Sequence, residues 1–477
     1  MPEHVRQTGQ APAAETAGDR HLGFTLAAIV TCQLMIGLDI TVVNVALPEI
    51  RLALGMSAIA QSWVVSAYTL AFGGLLLLGG RISDALGRRE VFIGGVALFT
   101  VASLAGGLAT APGVLLAARA VQGVGAALAA PNMMALIAAN FAEGAPRTRA
   151  LAVYSSVSGL SLSAGLILGG LLTSLASWRW VMFVNVPVGV VIVALALRYV
   201  RPVPKHRTGL DVAGAVLGTA GMTAMVYGLV RTGEAGWGDR TAPAALAAAL
   251  AALALFLLAE ARAAHPLLPL GLFRDRNRAA AYLNMLLIAA TMLGMFFFLT
   301  QYLQTVKGFT PLATGIAFLP LALTALVTAR AVPWLLLRLG PKAVTASGTV
   351  AIAAGLLWLT RLSATSGYAT GVLGPLILVG IGIGVTFVPL NSFILAGLRP
   401  HQTGAAAATV QTMQQAGSSL GLAVLVTVFG AAARDAAPGS PAGLAGVIAT
   451  SFGAASAFAV CALAVAIVVV RRPAQSS

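Results

Sequence analysis

A chain of 477 residues with 58% hydrophobic and only 9% charged side chains, at a mean hydropathy of +0.92, is too apolar for a water-soluble domain. Its formal charge of +15, from 29 Lys and Arg against 14 Asp and Glu, would suggest nucleic acid in a soluble protein. Here the bases fall in short loops between apolar runs, where they set membrane orientation, and the spans leave no room for a soluble catalytic domain.

In chain order, the polar stretch 1–21 carries acids and is followed by no small-residue cleavage pattern, so it reads as a retained tail rather than a secretory signal. Apolar runs between charged or Pro/Gly-rich breaks then predict fourteen helices. They cover about 22–47, 57–79, 91–110, 113–138, 150–174, 180–197, 210–230, 243–260, 279–302, 312–329, 343–360, 367–396, 404–430 and 446–470. An even number puts both termini on one side. With that side taken as the cytoplasm, 21 of the 29 basic residues fall there, only Arg51, Arg179, Arg231, Arg240, Lys307, Arg361 and Arg434 lie opposite, and Arg119 sits inside a span. A wrong helix count would scramble that bias. Cys32 and Cys461 lie in separate apolar runs and make neither a disulfide framework nor a metal site.

A weak internal echo divides the chain. GRISDALGRR at 80–89 and PWLLLRLGPK at 333–342 each follow the second helix of a six-helix block, with Leu86-Gly87 matching Leu339-Gly340 and Arg89 matching Lys342. Paired six-helix halves are the layout of many secondary transporters, whose substrate site lies between the halves. The expected domains are therefore a tail at 1–21, a six-helix bundle at 22–200, a linker and inserted helix pair at 201–265, a second bundle at 266–470 and a tail at 471–477.

Charge inside a bilayer is costly and marks function by default. Asp39, in the first span, lies nine residues before Pro48, where that helix is expected to leave the membrane, roughly 13 Å below its end. Arg119, in the fourth, lies seven residues past Pro112, roughly 10 Å below the same surface. Opposite charges at similar depth admit two readings: a carboxyl that binds and releases a proton, or an ion pair that only fixes packing. Function is preferred, because an apolar pair of similar size would pack as well.

Several runs resemble one family. LDITVVNVALP at 38–48 looks like the first-helix signature of proton-coupled drug exporters of the major facilitator superfamily. Gly80, Asp84, Gly87, Arg88 and Arg89 resemble its loop motif between helices two and three, with Ala85 in place of the usual Arg. Leu115, Arg119, Gln122, Gly123 and Gly125 match a fourth-helix motif of proton-driven members, and SAGLILGG at 163–170 resembles the fifth-helix antiporter motif with Leu166 in place of Pro. WRWVMFVNVPVG at 178–189 and YLQTVKGFTPLATGIAFLP at 302–320 are typical of the fourteen-helix drug:proton antiporters. The resemblance implies an all-α polytopic membrane protein with the major facilitator fold: two six-helix bundles plus an inserted two-helix hairpin. It also implies that Asp39 carries proton coupling beside Arg119, and that Gly80, Asp84, Gly87, Arg88 and Arg89 form a conformational latch. Gly165, Gly169 and Gly170 would permit close helix packing.

Other signals carry little. Gly417-Ser418-Ser419-Leu420-Gly421 fits G-x-S-x-G but lies in an apolar span, where small-residue packing explains it. No Walker A or H-E-x-x-H pattern is present, so ATP drive, zinc chemistry and an enzyme activity have no support. The five histidines fall in tails and loops. Trp178, Trp180 and Trp237 read as interface belt. A pocket for lipophilic compounds needs aromatic walls with a few polar anchors, and candidates are Trp63, Tyr68, Asn132, Met133, Tyr154, Phe297, Gln301, Asn391, Gln411 and Gln415. The expected protein is a multi-pass cell-membrane exporter with both termini cytoplasmic. It would need no cofactor, be driven by the proton gradient, and act on lipophilic or cationic small molecules; its partners are protons and the lipid bilayer, with no nucleic acid. A lipid or glycolipid exporter of the same fold, or a proton-independent receptor or scaffold, are the alternatives.

Overall fold

In lipid every backbone N–H and C=O must be paired within its own segment, so long apolar runs become helices. The computed structural model describes residues 13–203, 211–263, 266–268, 270–398, 403–435 and 440–469; most of both expected tails and parts of the 201–265 linker lie outside them. The first half comprises α1 (Ala13–Leu54), α2 (Ser62–Leu86), α3 (Arg88–Gly107), α4 (Pro112–Asn140), α5 (Ala145–Leu175), α6 (Trp180–Phe183) and α7 (Asn185–Tyr199). The hairpin is α8 (Val212–Ala235) and α9 (Thr241–Arg262). The second half comprises α10 (Arg276–Gln301), α11 (Pro311–Ala317), α12 (Leu319–Leu359), α13 (Gly374–Leu395), α14 (Thr403–Asp435) and α15 (Pro441–Ala464).

Among the described residues twelve helices are long and apolar enough to cross a membrane. One of them, Pro311–Leu359, covers two of the predicted spans, and α5 supplies the remaining one as an unbroken helix. The fourteen expected crossings therefore all fall on helix. Three boundaries differ from expectation. α1 does not end at Pro48 but runs on to Leu54 and stops at Gly55, whose φ of +64° suits a helix C-terminus. A proline there costs one ladder bond without forcing an exit. The sixth span is split at Val184, because Pro187 cannot donate to the Phe183 carbonyl. The expected 333–342 loop is almost all helix, and α12 bends only at Gly340 (φ +74°) before Pro341. Gly87, its partner in the sequence echo, has φ +111° at the α2–α3 junction. The two halves thus repeat a left-handed glycine corner that a side chain would strain.

The hairpin lies against both halves on one flank. α8 packs on α2 and on α14, where Thr427 Oγ1 donates to the Leu229 carbonyl at 2.5 Å and Arg434 to the Gly233 carbonyl at 2.9 Å. α9 packs on α8 and leaves Leu250, Leu255, Leu257 and Leu258 facing outward, as a lipid-bathed helix should.

The halves meet along α2–α14, α1–α10 and α5–α11. At mid-height, the Thr69 and Ser419 hydroxyls lie 2.7 Å apart. At the end opposite the 80–89 loop, Gln304 Nε2 donates to the Val45 carbonyl at 2.9 Å and Leu312 N–H to Ser174 Oγ at 3.1 Å. The three small residues of α5 serve two partners. Gly165 and Gly169 face α1, where a Cβ on Gly169 would sit 2.8 Å from Val42 Cα and one on Gly165 would collide with Thr41. Gly170 faces α11, where a Cβ would sit 2.6 Å from the Pro311 carbonyl oxygen, and Gly315 answers it by pressing on the Leu166 carbonyl. Leu166 itself is fully buried, within the unbroken helix α5. At the loop end, by contrast, Met134, Asn391 and Gln411 on helices of both halves are exposed. The seam is thus held shut at the end opposite the loop, and the loop end is where these side chains are accessible.

Widening the α5–α11 seam should undo that asymmetry. We expect Gly170→Val to slow cross-linking of a Ser174→Cys/Leu312→Cys pair several-fold in membranes, while leaving expression intact.

Candidate functional site

A carboxylate and a guanidinium survive in a bundle only when each is paired and their remaining hydrogen-bonding capacity is filled. Asp39 on α1 is 1% exposed and Arg119 on α4 is fully buried. Arg119 Nη1 donates to Asp39 Oδ2 at 2.5 Å and also reaches Gln122 Oε1 at 3.1 Å, and its Nε donates to the Val64 carbonyl of α2 at 2.9 Å. The second carboxylate oxygen accepts from Gln122 Nε2 at 3.3 Å and from Asn185 Nδ2 of α7 at 3.2 Å. Gln122 Nε2 also donates to Ser103 Oγ of α3 at 2.6 Å. The Tyr68 ring of α2 lies 4.4 Å from the Arg119 Cζ, a cation–π contact in a dry site. Five helices therefore contribute to one ion pair.

The two charges lie at equal depth as expected, but the depth is corrected. Asp39 lies fifteen residues before Leu54, roughly 22 Å from the end of α1, because that helix extends past α4. Every neighbour hydrogen-bonded to the Asp39 carboxyl presents an N–H, which suits a carboxylate.

The loop residues divide. Gly80 lies beside Pro131, and Gly87 makes the corner. Arg88 donates to Asp84 Oδ1 through Nε at 3.2 Å and Nη2 at 3.0 Å, within one turn and with side chains 37% and 29% exposed. Such a pair is worth about 1 kcal/mol or less. Arg89 reaches across to the carbonyls of Ala196 and Leu197 at the end of α7, and Arg81 donates to the Pro266 carbonyl at 3.1 Å. Asp84 and Arg88 thus span the Gly87 corner from α2 to α3, whereas the reaches to more distant elements come from Arg81 and Arg89.

The candidate pocket residues do not converge. Tyr68 belongs to the Asp39 cluster. Asn132 donates to Ser83 Oγ at 2.7 Å and braces the 80–89 corner, and Met133 is buried in the first-half core. Trp63 stacks towards Tyr227 of α8, at 6.4 Å between rings. Phe297 is buried edge-on against Phe298, and Gln301 is 5% exposed with an unpartnered Nε2. Tyr154 donates to Gln33 Oε1 at 2.8 Å across α5 and α1, Gln415 is pressed against Gly73, and Asn391 and Gln411 face the open end. Of the expected belt, Trp180 and Trp237 are exposed, but Trp178 is 5% exposed with Arg179 stacked on it. Ser419 packs between helices as its small-residue surroundings predicted, with Gly417 and Gly421 against α10.

Reading the sequence missed Asn185 as a donor to Asp39 and Ser103 as the acceptor that holds Gln122, and gave Gln122 no role. The signal was available: each is a polar side chain in an apolar span. It also missed Glu260, 2% exposed, whose Oε2 accepts from the Leu268 N–H at 2.9 Å and anchors the chain leaving the hairpin.

This geometry, a charged cluster inside one of two facing helical bundles, is that of a secondary transporter rather than an enzyme. The chain belongs to the Major Facilitator Superfamily, whose model matches residues 29–422. It is 42% identical over 446 residues to the cephamycin export protein CmcT of Amycolatopsis lactamdurans, covering 92% of this chain and 90% of that one. It is 44% identical over 415 residues to the puromycin resistance protein pur8 of Streptomyces alboniger, covering 84% and 81%. The tetracenomycin C resistance and export protein of Streptomyces glaucescens is 34% identical over 416 residues, covering 87% and 77%. Among solved structures, the peptide transporter POT in complex with sulfate superposes with a TM-score of 0.67 at 15% identity, covering 94% of each chain. The nucleoside transporter NupG gives 0.63 at 13%, covering 93% and 98%. At that identity the likeness concerns the fold alone.

Removing one member of the pair should cost more than removing both charges. Arg119→Gln is expected to destabilise the protein by about 3–5 kcal/mol, with most of the loss recovered in Asp39→Asn/Arg119→Gln. Asn185→Leu, which removes one donor from Asp39, should cost about 1–3 kcal/mol. Unfolding of purified protein in detergent, by denaturant and by heat, measures all three.

Proposed function

We propose that this protein exports an antibiotic-like small molecule across the cytoplasmic membrane in exchange for protons, with both termini in the cytoplasm. The observation that carries the reading is the Asp39–Arg119 pair, whose carboxyl is buried among N–H donors of α4 and α7 and sits on α1, a helix that meets the other half along α10. The antibiotic-export names of its relatives support the cargo class, and the bias of basic residues supports the orientation.

In this reading the present state faces the cytoplasm, because the seam opposite the basic loop is shut. Asp39 is ionised and held by Arg119. After the halves rock, a proton arriving from outside neutralises Asp39. Arg119 is then released to partners it already touches: the Val64 carbonyl, Gln122 and the Tyr68 ring. α1 passes that change on, since it lies against Gly165 and Gly169 of α5 and its Val45 carbonyl accepts from Gln304 of the other half. Release of the proton inward restores the ion pair and the closed outer seam. One charge crossing 100 mV is worth about 2.3 kcal/mol, which supports an accumulation ratio of about 50 for a neutral cargo, whereas one-for-one exchange against a monocation moves no net charge and draws on the pH difference. With one carboxylate in the cluster, the cargo is neutral or singly cationic and dications are exported poorly.

Efflux of a fluorescent monocationic drug from energised cells tests the reading. Wild-type efflux should collapse on adding an uncoupler, and Asp39→Asn should start at that collapsed rate, with a proton:substrate ratio near one in wild-type proteoliposomes. Uncoupler-sensitive efflux that persists in Asp39→Asn would overturn it.

A further inference from the structure

On the basic-loop end, away from the ion pair, a cavity of about 420 Å³ opens between the start of α1, the start of α3 and the end of α7. Among the described residues its lining includes His21, Arg89, Arg198, Tyr199 and Arg201, and none of those described is a carboxylate. The bases are held there by structure rather than gathered at random. Arg89 is fixed by the Ala196 and Leu197 carbonyls, and Tyr199 is clamped between Phe24, stacked at 4.6 Å, and the His21 ring at 5.0 Å. Thr25 Oγ1 donates to the Tyr199 carbonyl at 2.9 Å, and the Asn140 side chain accepts the Arg201 N–H at 3.0 Å, so α1, α4 and α7 meet at this spot. Beside the cavity, Phe24 is 43% and Leu197 57% exposed, and Val190 and Val191 continue that apolar face up α7.

We propose that this cavity binds the headgroup of an anionic phospholipid. A phosphodiester supplies the negative charge that the lining lacks, and its acyl chains run along the exposed apolar face of α7. Basic pockets between helices at a cytoplasmic membrane boundary are suited to such headgroups. A zwitterionic lipid brings an ammonium of its own against the arginines, and a free phosphate gains nothing from Phe24 or Leu197. The site goes beyond the transport reading: the proposed orientation places it at the inner leaflet, but binding does not depend on Asp39.

The test uses purified full-length protein in neutral detergent, with lipid retention followed by native mass spectrometry and by thermal shift. The probes are phosphatidylglycerol, phosphatidylcholine and inorganic phosphate. Phosphatidylglycerol should bind and stabilise the wild type, phosphatidylcholine should not, and inorganic phosphate at millimolar concentration should not displace the lipid. Each arginine removed should weaken binding about fivefold, so Arg198→Gln/Arg201→Gln should lose about thirtyfold. Arg198→Lys/Arg201→Lys should retain most of the affinity, which separates charge from misfolding. The charge-matched control Arg274→Gln/Arg330→Gln, distant from the cavity, should bind as wild type does. Equal losses in the two Gln pairs, or displacement by phosphate alone, would overturn the assignment.

Discussion

Placing a carboxylate where water is absent constrains this molecule more than any other single requirement. Asp39 can be buried only if a cation and further donors arrive with it; these come from α4 and α7, while α2 and α3 supply the acceptors that hold Arg119 and Gln122 in place. The first half is thus organised around polar satisfaction as much as apolar packing. In the proposed cycle the same network is what ties protonation to movement: its donors suit the ionised carboxyl, so a proton on Asp39 would be met by a shift of the helices that carry them.

Movement needs surfaces that slide without bulky side chains interlocking, and small residues supply them. α5 is the clearest case: two glycines bring it to α1 and a third brings it to α11, so one helix joins the ion-pair half to the opposite half. Membrane helices gain little hydrophobic drive for association, and close backbone approach replaces it. The arrangement couples the position of α1, and with it Asp39, to the closed end of the seam.

Much of this architecture was legible in the residues, for physical reasons. Fourteen apolar runs and a one-sided distribution of arginines are imposed by the bilayer, so the crossings could be counted before any contact was known. Asp39 and Arg119 stood out because charge inside lipid demands an explanation, and the depth argument brought them together even though α1 overran Pro48. The supporting shell was harder to read. Asn185 follows a helix break that Pro187 causes, and nothing local shows that its amide turns to α1. The pocket residues are hard to single out for a different reason: aromatic and amide side chains in a bundle serve cores and helix contacts as readily as ligands, and Phe297, Met133 and Asn132 make such contacts here. The loop echo fared better in the backbone than in the side chains. Gly87 and Gly340 make the same corner, but Leu337, 88% exposed, stands where the first half has Asp84.

The inserted hairpin bears on how cargo reaches the gap between the halves. By resting on α2 and α14 together, α8 seals one flank of the molecule from the surrounding lipid. A compound dissolved in the bilayer meets α8 there instead of a bare α2–α14 seam, while on the other flank the α5–α11 contact stands between the halves and the lipid.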